Sequence, residues 1–252
     1  MNLSQALNNI KPPCQKSMEE AQHHWDRVLK PLDSLGQLEK HLIKIAGMTG
    51  SSQFDLSKKA VVVFCADNGV VAQGISQTGK EVTALVAENF TKGQACVCHI
   101  AKIAGADVIP VDIGIDSDKS IPGVLDRKIA KGTKDFTREP AMTKQEATAA
   151  LEVGVNLALE LAEQGYRLLA TGEMGIGNTT TSSALAAVML GLPVRQVTGR
   201  GAGLSDEGLA RKVAVIEKGI ALHAPDPKDP LGLLSALGGF DIAGMAGLCI
   251  GC

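Results

Sequence analysis

The sequence predicts an α/β fold built on a doubly wound, mainly parallel sheet in three layers. Three observations lead there. Residues 60–65 (AVVVFC) are a continuous apolar, β-branched run, and residues 107–115 (DVIPVDIGI) read as a second strand. Such runs suit parallel strands buried on both faces. Each run ends in turn residues and is followed, after a spacer, by a segment with helical spacing of its apolar residues. The chain also carries 28 glycines in 252 residues with only 3% aromatics, which fits tight strand-to-helix turns and close helix packing. The architecture is Rossmann-like, with a small N-terminal helical subdomain over residues 1–50 and an α/β nucleotide-binding core over 51–252.

The elements follow in order. Residues 17–29 place Met18, Ala21, Trp25 and Val28 at helical spacing, and Lys30-Pro31 breaks the pattern. Residues 35–48 form a second helix, with Gly50 beyond its end. The strand at 60–65 runs into Ala66-Asp67-Asn68-Gly69. Helices are expected at 81–90 and 95–104, then a strand at 107–115, then a polar excursion over 116–140. Thr143-Lys-Gln-Glu146 is a capping box opening a long helix over 143–164. A third strand is expected at 166–171, ending at Gly172, with a helix over 179–189. Ser205 caps a helix over 205–222 with Asp206 and Glu207 in its first turn.

Composition removes several functions. The formal net charge is -2, so the basic excess of a nucleic-acid binder is absent. No apolar run is long enough to span a bilayer, and the N-terminus lacks an export signal. The six cysteines form no pair of matched metal-ligand motifs, so they read as reduced thiols of a cytoplasmic protein rather than a zinc site.

In doubly wound sheets the ligand lies outside the carboxyl ends of the strands, where strand order reverses. The strongest signal there is Thr171-Gly-Glu-Met-Gly-Ile-Gly-Asn-Thr-Thr-Thr181. Gly175 and Gly177 let backbone approach a ligand, and the N–H groups and dipole of the following helix would favour an anion. Asn178 and the three threonines add donors. The segment lacks the Gly-Lys-Ser/Thr of a Walker loop and the third glycine of a dinucleotide fingerprint, which argues against a kinase or dehydrogenase. A glycine-rich turn that binds nothing is the plain alternative. A second constellation is Gly199-Arg-Gly-Ala-Gly203, followed by Lys212. Its alternating glycines can form an anion nest, and Lys212 could reach back along its helix toward a phosphate. Glu173, beside the cradle, could be a general base, a stabiliser of a cationic sugar, an ion partner of Lys212 or a helix-cap acceptor.

Several motifs, spread from about Gln22 to Gly251, carry a family resemblance. They are Lys30-Pro-Leu-Asp-Ser-Leu-Gly-Gln-Leu-Glu39, Ala66-Asp-Asn-Gly-Val-Val, Val111-Asp-Ile-Gly-Ile, the 171–180 and 199–212 segments, and Leu237-Gly-Gly-Phe-Asp-Ile-Ala-Gly-Met245. Together they resemble the nicotinate-nucleotide:dimethylbenzimidazole phosphoribosyltransferases of cobalamin synthesis. The resemblance implies transfer of the phosphoribosyl group of nicotinate mononucleotide to 5,6-dimethylbenzimidazole. The products are nicotinate and α-ribazole 5′-phosphate. It implies no metal and no cofactor, a homodimer, and neither nucleic acid nor membrane as partner.

Glu173 would be the supporting carboxylate. Gly175, Gly177, Asn178, Thr179, Gly201, Gly203 and Lys212 would surround the phosphoribosyl group. Met174 would pack on an aromatic ring, and Ser76 and Gln77 would border the benzimidazole. The family's principal general base lies in a C-terminal Gly-Glu-Gly-Thr-Gly type motif, which these residues do not contain. The chain is therefore expected to be C-terminally truncated relative to the family. It is expected to bind the mononucleotide with little or no transfer, and to expose the apolar stretch 231–252 as a pairing surface. A non-catalytic nucleotide-binding or dimerisation module is the competing reading.

Overall fold

The computed structural model describes residues 1–252. The apolar run at 60–65 lies in β1 (Lys59–Ala66), flanked by β2 (Asp107–Gly114) and β4 (Leu168–Met174), and the two-residue β3 (Leu125–Asp126) lies beyond β2. All pairs are parallel and the order is β3-β2-β1-β4. Side chains of β1 alternate between two cores. Val62, Phe64 and Ala66 enter the larger one, while Val63 and Cys65 pack with Ile115 and with Ala87 on the opposite face. Burial on both faces is why the run reads as continuous rather than alternating.

Ala87 belongs to α4 (Glu81–Thr91), which with α5 (Cys96–Ala104) carries the chain from β1 to β2. The return to β4 runs through α6 (Lys144–Glu163). Its predicted capping box forms: the Glu146 N–H donates to Thr143 Oγ1 at 3.1 Å, and the Thr143 N–H donates to Glu146 Oε2 at 2.8 Å. After β4 come α7 (Asn178–Leu190), the single turn α8 (Val194–Val197), α9 (Asp206–His223), α10 (Pro230–Leu237) and α11 (Phe240–Gly251).

Two sequence expectations are corrected. The third strand does not stop at Gly172. It continues through Glu173 and Met174 because β1 supplies ladder partners as far as Cys65. The stretch 231–252 is not an exposed surface: Leu233, Leu237, Phe240 and Leu248 are all buried. Leu233 and Leu237 belong to α10, Phe240 and Leu248 to α11, and α11 lies across the sheet and against α6, at a distance only glycine permits. A Cβ on Gly154 would stand 2.1 Å from the Gly244 carbonyl, and one on Gly247 would stand 1.9 Å from the Leu151 carbonyl. The short β3 inside the 116–140 excursion is not legible in sequence, since both its residues are exposed.

Before the sheet lie α1 (Leu3–Asn9), α2 (Gln15–Arg27) and α3 (Gln37–Thr49). The Leu3 N–H donates to Glu152 of α6 at 2.9 Å. Helices α2 and α3 pack as a hairpin, and its turn holds a buried ion pair, Lys30–Glu39, at 2.9 Å. No helix is long and apolar enough to cross a membrane.

Candidate functional site

Strand order reverses between β1 and β4, so their carboxyl ends form the crevice where this fold places ligands. A cavity of about 300 Å³ opens there. Its wall brings together Ser76, Gln77, Met174, Gly175, Gly177, Asn178, Thr179, Gly201 and Lys212, nine of the residues singled out from sequence. Two others adjoin it. The Gly203 carbonyl accepts from Gln77 Nε2 at 2.6 Å, and Glu173 lies behind Asn178, whose amide donates to its carboxylate.

The loop between β4 and α7 is shaped by what lies beneath it. A Cβ on Gly175 would stand 2.1 Å from the Ala66 carbonyl, so only glycine lets β4 turn this close to the end of β1. Gly177 sits at φ 95° as the N-cap of α7, a left-handed conformation that disfavours other residues. The Ile176 N–H donates to Thr83 Oγ1 at 3.2 Å. Asp67 accepts the Asp116 N–H at 2.8 Å, and burial pushes its carboxyl above the ordinary range.

The amides expected to be free at the start of α7 are not. The first amides of α7 are already engaged. Asn178 N–H donates to the Gly175 carbonyl at 3.0 Å, Thr179 N–H to Asn178 Oδ1 at 2.6 Å, and Thr180 N–H to the Gly177 carbonyl at 2.8 Å. Of the three threonines only Thr179 faces the cavity; Thr180 and Thr181 are buried in the helix.

The charge comes from Lys212. It does not lie on the surface: its relative exposure is 1%. Its ammonium donates to Thr179 Oγ1 at 2.6 Å and to the Gly199 carbonyl at 3.3 Å. Gly201 passes over it, with a Cβ position 3.5 Å from Nζ. No carboxylate pairs with it, and desolvation holds its pKa below the usual lysine value. Glu173 is thus not its ion partner. Burial raises the Glu173 carboxyl, partly opposed by the Asn178 amide.

Some neighbours were not singled out from sequence. Arg200 lines the cavity but donates to the Leu204 carbonyl and to Asp206. Asn68 and Asp241 lie beneath the loop, and their signal was only that both fall within motifs. A larger depression of about 440 Å³ lies over the 117–131 excursion, but there Lys128 and Lys131 are neutralised by Asp112 and Asp118.

Fold and site together define an α/β protein with a glycine-lined cavity, holding a buried lysine, at its topological switch point. Comparison with known proteins narrows this. Residues 10–252 match the family model described as phosphoribosyltransferase. The chain is 48% identical over 249 residues to the nicotinate-nucleotide–dimethylbenzimidazole phosphoribosyltransferase of Acetivibrio thermocellus, covering 99% of this chain and 71% of that protein. It is 49% identical over 251 residues to that of Geobacter sulfurreducens, with the same coverage. The crystal structure of CobT from Thermus thermophilus superposes with a TM-score of 0.86 at 38% identity, covering 92% of this chain and 70% of that one. The chain belongs to this phosphoribosyltransferase family.

Proposed function

We propose that this protein transfers the phosphoribosyl group of nicotinate mononucleotide to a ring nitrogen of 5,6-dimethylbenzimidazole, releasing nicotinate and forming α-ribazole 5′-phosphate. The observation that carries this reading is Lys212, a buried ammonium with no carboxylate partner, facing a glycine-lined cavity. A buried cation without a counter-charge is destabilising. A phosphate dianion is the counter-ion it lacks, and the relatives' substrate brings one.

The chemistry then divides among the residues. Lys212, Thr179, Gly201 and Gly203 hold the phosphate end, and Gly175, Gly177 and Asn178 line the ribose. As the pyridinium leaves it becomes neutral, and positive charge develops on the sugar carbon. Glu173, a half-buried carboxylate behind Asn178, stabilises that charge. Met174 offers an apolar face to an aromatic ring, and Ser76 and Gln77 border the acceptor. The attacking benzimidazole nitrogen forms the new bond to the sugar carbon as the bond to the nicotinate nitrogen breaks, and its ring loses the N–H proton from the other nitrogen to water. We further propose a cytoplasmic homodimer acting on these small molecules, with neither membrane nor nucleic acid as partner. Residues 1–50 form its helical subdomain and 51–252 its nucleotide-binding core.

The test incubates the protein with nicotinate mononucleotide and dimethylbenzimidazole and follows α-ribazole phosphate by chromatography. Product that disappears in Lys212→Ala supports the proposal. Mononucleotide binding without product would reduce it to a nucleotide-binding module, and absence of binding would refute it.

A further inference from the structure

Beneath the Gly175 loop lies a polar pair that the proposed chemistry does not use. Asp241, in the first turn of α11, is fully buried at 0% exposure. Its Oδ1 accepts the Ile242 N–H at 2.9 Å, while its Oδ2 has no hydrogen-bond partner. Beside it, Asn68 directs Nδ2 toward the Ile176 carbonyl at 3.4 Å, which fixes the orientation of its amide. Asn68 Oδ1 is also buried without a partner. The two side chains border the same two glycines. A Cβ on Gly175 would stand 3.0 Å from Asp241 Oδ2 and 3.2 Å from Asn68 Nδ2. One on Gly239 would stand 2.2 Å from Asp241 Oδ1 and 2.7 Å from Asn68 Oδ1. Two buried acceptors with no donor between them are costly. One proton on Asp241 supplies the missing donor.

A second carboxyl, Glu173, stands at the same strand ends. A fully buried carboxyl does not ionise readily while a neighbouring carboxyl is charged. We infer that Asp241 is a positioning residue that carries the proton of this pair, leaving Glu173 as the charged carboxylate behind Asn178. The groups facing Asp241 are Glu173 from β4, the Cys65 thiol from β1 and the Asn68 amide just beyond β1; none is a cation. Burial first, and then the Glu173 charge, push the Asp241 carboxyl up to about 7, and burial pushes the Cys65 thiol up as well, so it stays neutral. Glu173 carries the Asn178 amide on its charged form and is only half-buried, whereas Asp241 is fully buried and its Oδ2 has no partner. That difference decides which of the two keeps the proton.

The inference rests on the proposed reaction for its purpose but not for its test, which needs no substrate. Carbon-13 NMR of carboxyl-labelled protein, with Glu173→Gln and Asp241→Asn to assign the signals, reads both protonation states. The expected result is an Asp241 signal titrating near neutrality and above Glu173. In Glu173→Gln the neighbouring charge is gone, so the Asp241 midpoint should fall by about one pH unit, a tenfold change in proton affinity. An Asp241 signal titrating near the ordinary value of about 4, or an Asp241 midpoint unmoved in Glu173→Gln, would overturn it. If Glu173→Gln does not fold, the wild-type titration alone decides. The expected titration in a protein that makes no product would sink the reaction and leave this inference standing.

Discussion

Two lysines of this chain hold their ammonium groups out of solvent, and their surroundings are opposite. Lys30, in the turn between α2 and α3, lies 2.9 Å from Glu39, and Glu39 also accepts the Leu35 N–H at 2.9 Å. The charge is neutralised where it stands, and the pair ties a tight turn together. Lys212, in α9, has only a hydroxyl and a carbonyl for company. The first is a completed structural unit. The second has no counter-charge within the chain, which is why we propose it as the phosphate's partner. Burial alone therefore says little about a lysine's purpose; the presence or absence of a carboxylate says more.

Substitutions should separate the two. The largest loss of stability is expected from Glu39→Gln, which leaves the Lys30 ammonium buried and unpaired; Tm should fall by several degrees in a thermal melt, with mononucleotide affinity unchanged. Lys30 and the Leu35 N–H hold the Glu39 carboxyl below the usual range. Its contribution is thus present above the ordinary carboxylate pKa and lost as pH falls through the lowered value. Glu39→Gln should flatten the acid side of the stability profile.

Gly175→Ala comes next. Its Cβ would press on the Ala66 carbonyl at 2.1 Å, so the loop must shift, at a cost of about 1–3 kcal/mol by denaturant titration and with weaker mononucleotide binding. Lys212→Met should act in the other direction on stability. Removing an uncompensated buried charge should stabilise the free protein by about 1 kcal/mol or more while abolishing function. Because the folded protein depresses the Lys212 pKa, wild-type stability should rise as pH climbs through the lowered value, a rise absent in Lys212→Met. The smallest effect is expected from Gln77→Ala, which removes one bond to the Gly203 carbonyl at about 1 kcal/mol and should be read as a modest loss of acceptor affinity.

The contrast between the lysines also marks what sequence reading reaches. Local rules carried the sheet: the unbroken apolar run of β1, the capping box at Thr143 and the Ser205 cap, whose hydroxyl accepts the Gly208 N–H at 3.1 Å, all depend on neighbours within a few residues. The glycine loops were legible for the same reason. The Lys30–Glu39 pair was not, since nothing in a spacing of nine residues across a helix boundary says that the two side chains meet. Glu173 was assigned to a loop because Gly172 looked like a strand end; the β1 ladder kept it extended. Asn68 and Asp241 stand far apart in the chain and meet only after α11 folds across the sheet. The engagement of the α7 amides by their own neighbours was equally hidden, and it moved the burden of anion binding from helix N–H groups to Lys212.

Isothermal titration calorimetry with nicotinate mononucleotide, on the wild type, Lys212→Met and Lys30→Met, tests this assignment most directly. The account predicts that Lys212→Met loses at least about 100-fold in affinity, as removal of one partner of a desolvated charge pair does, while Lys30→Met binds as the wild type does. Equal affinity in the wild type and Lys212→Met would contradict it.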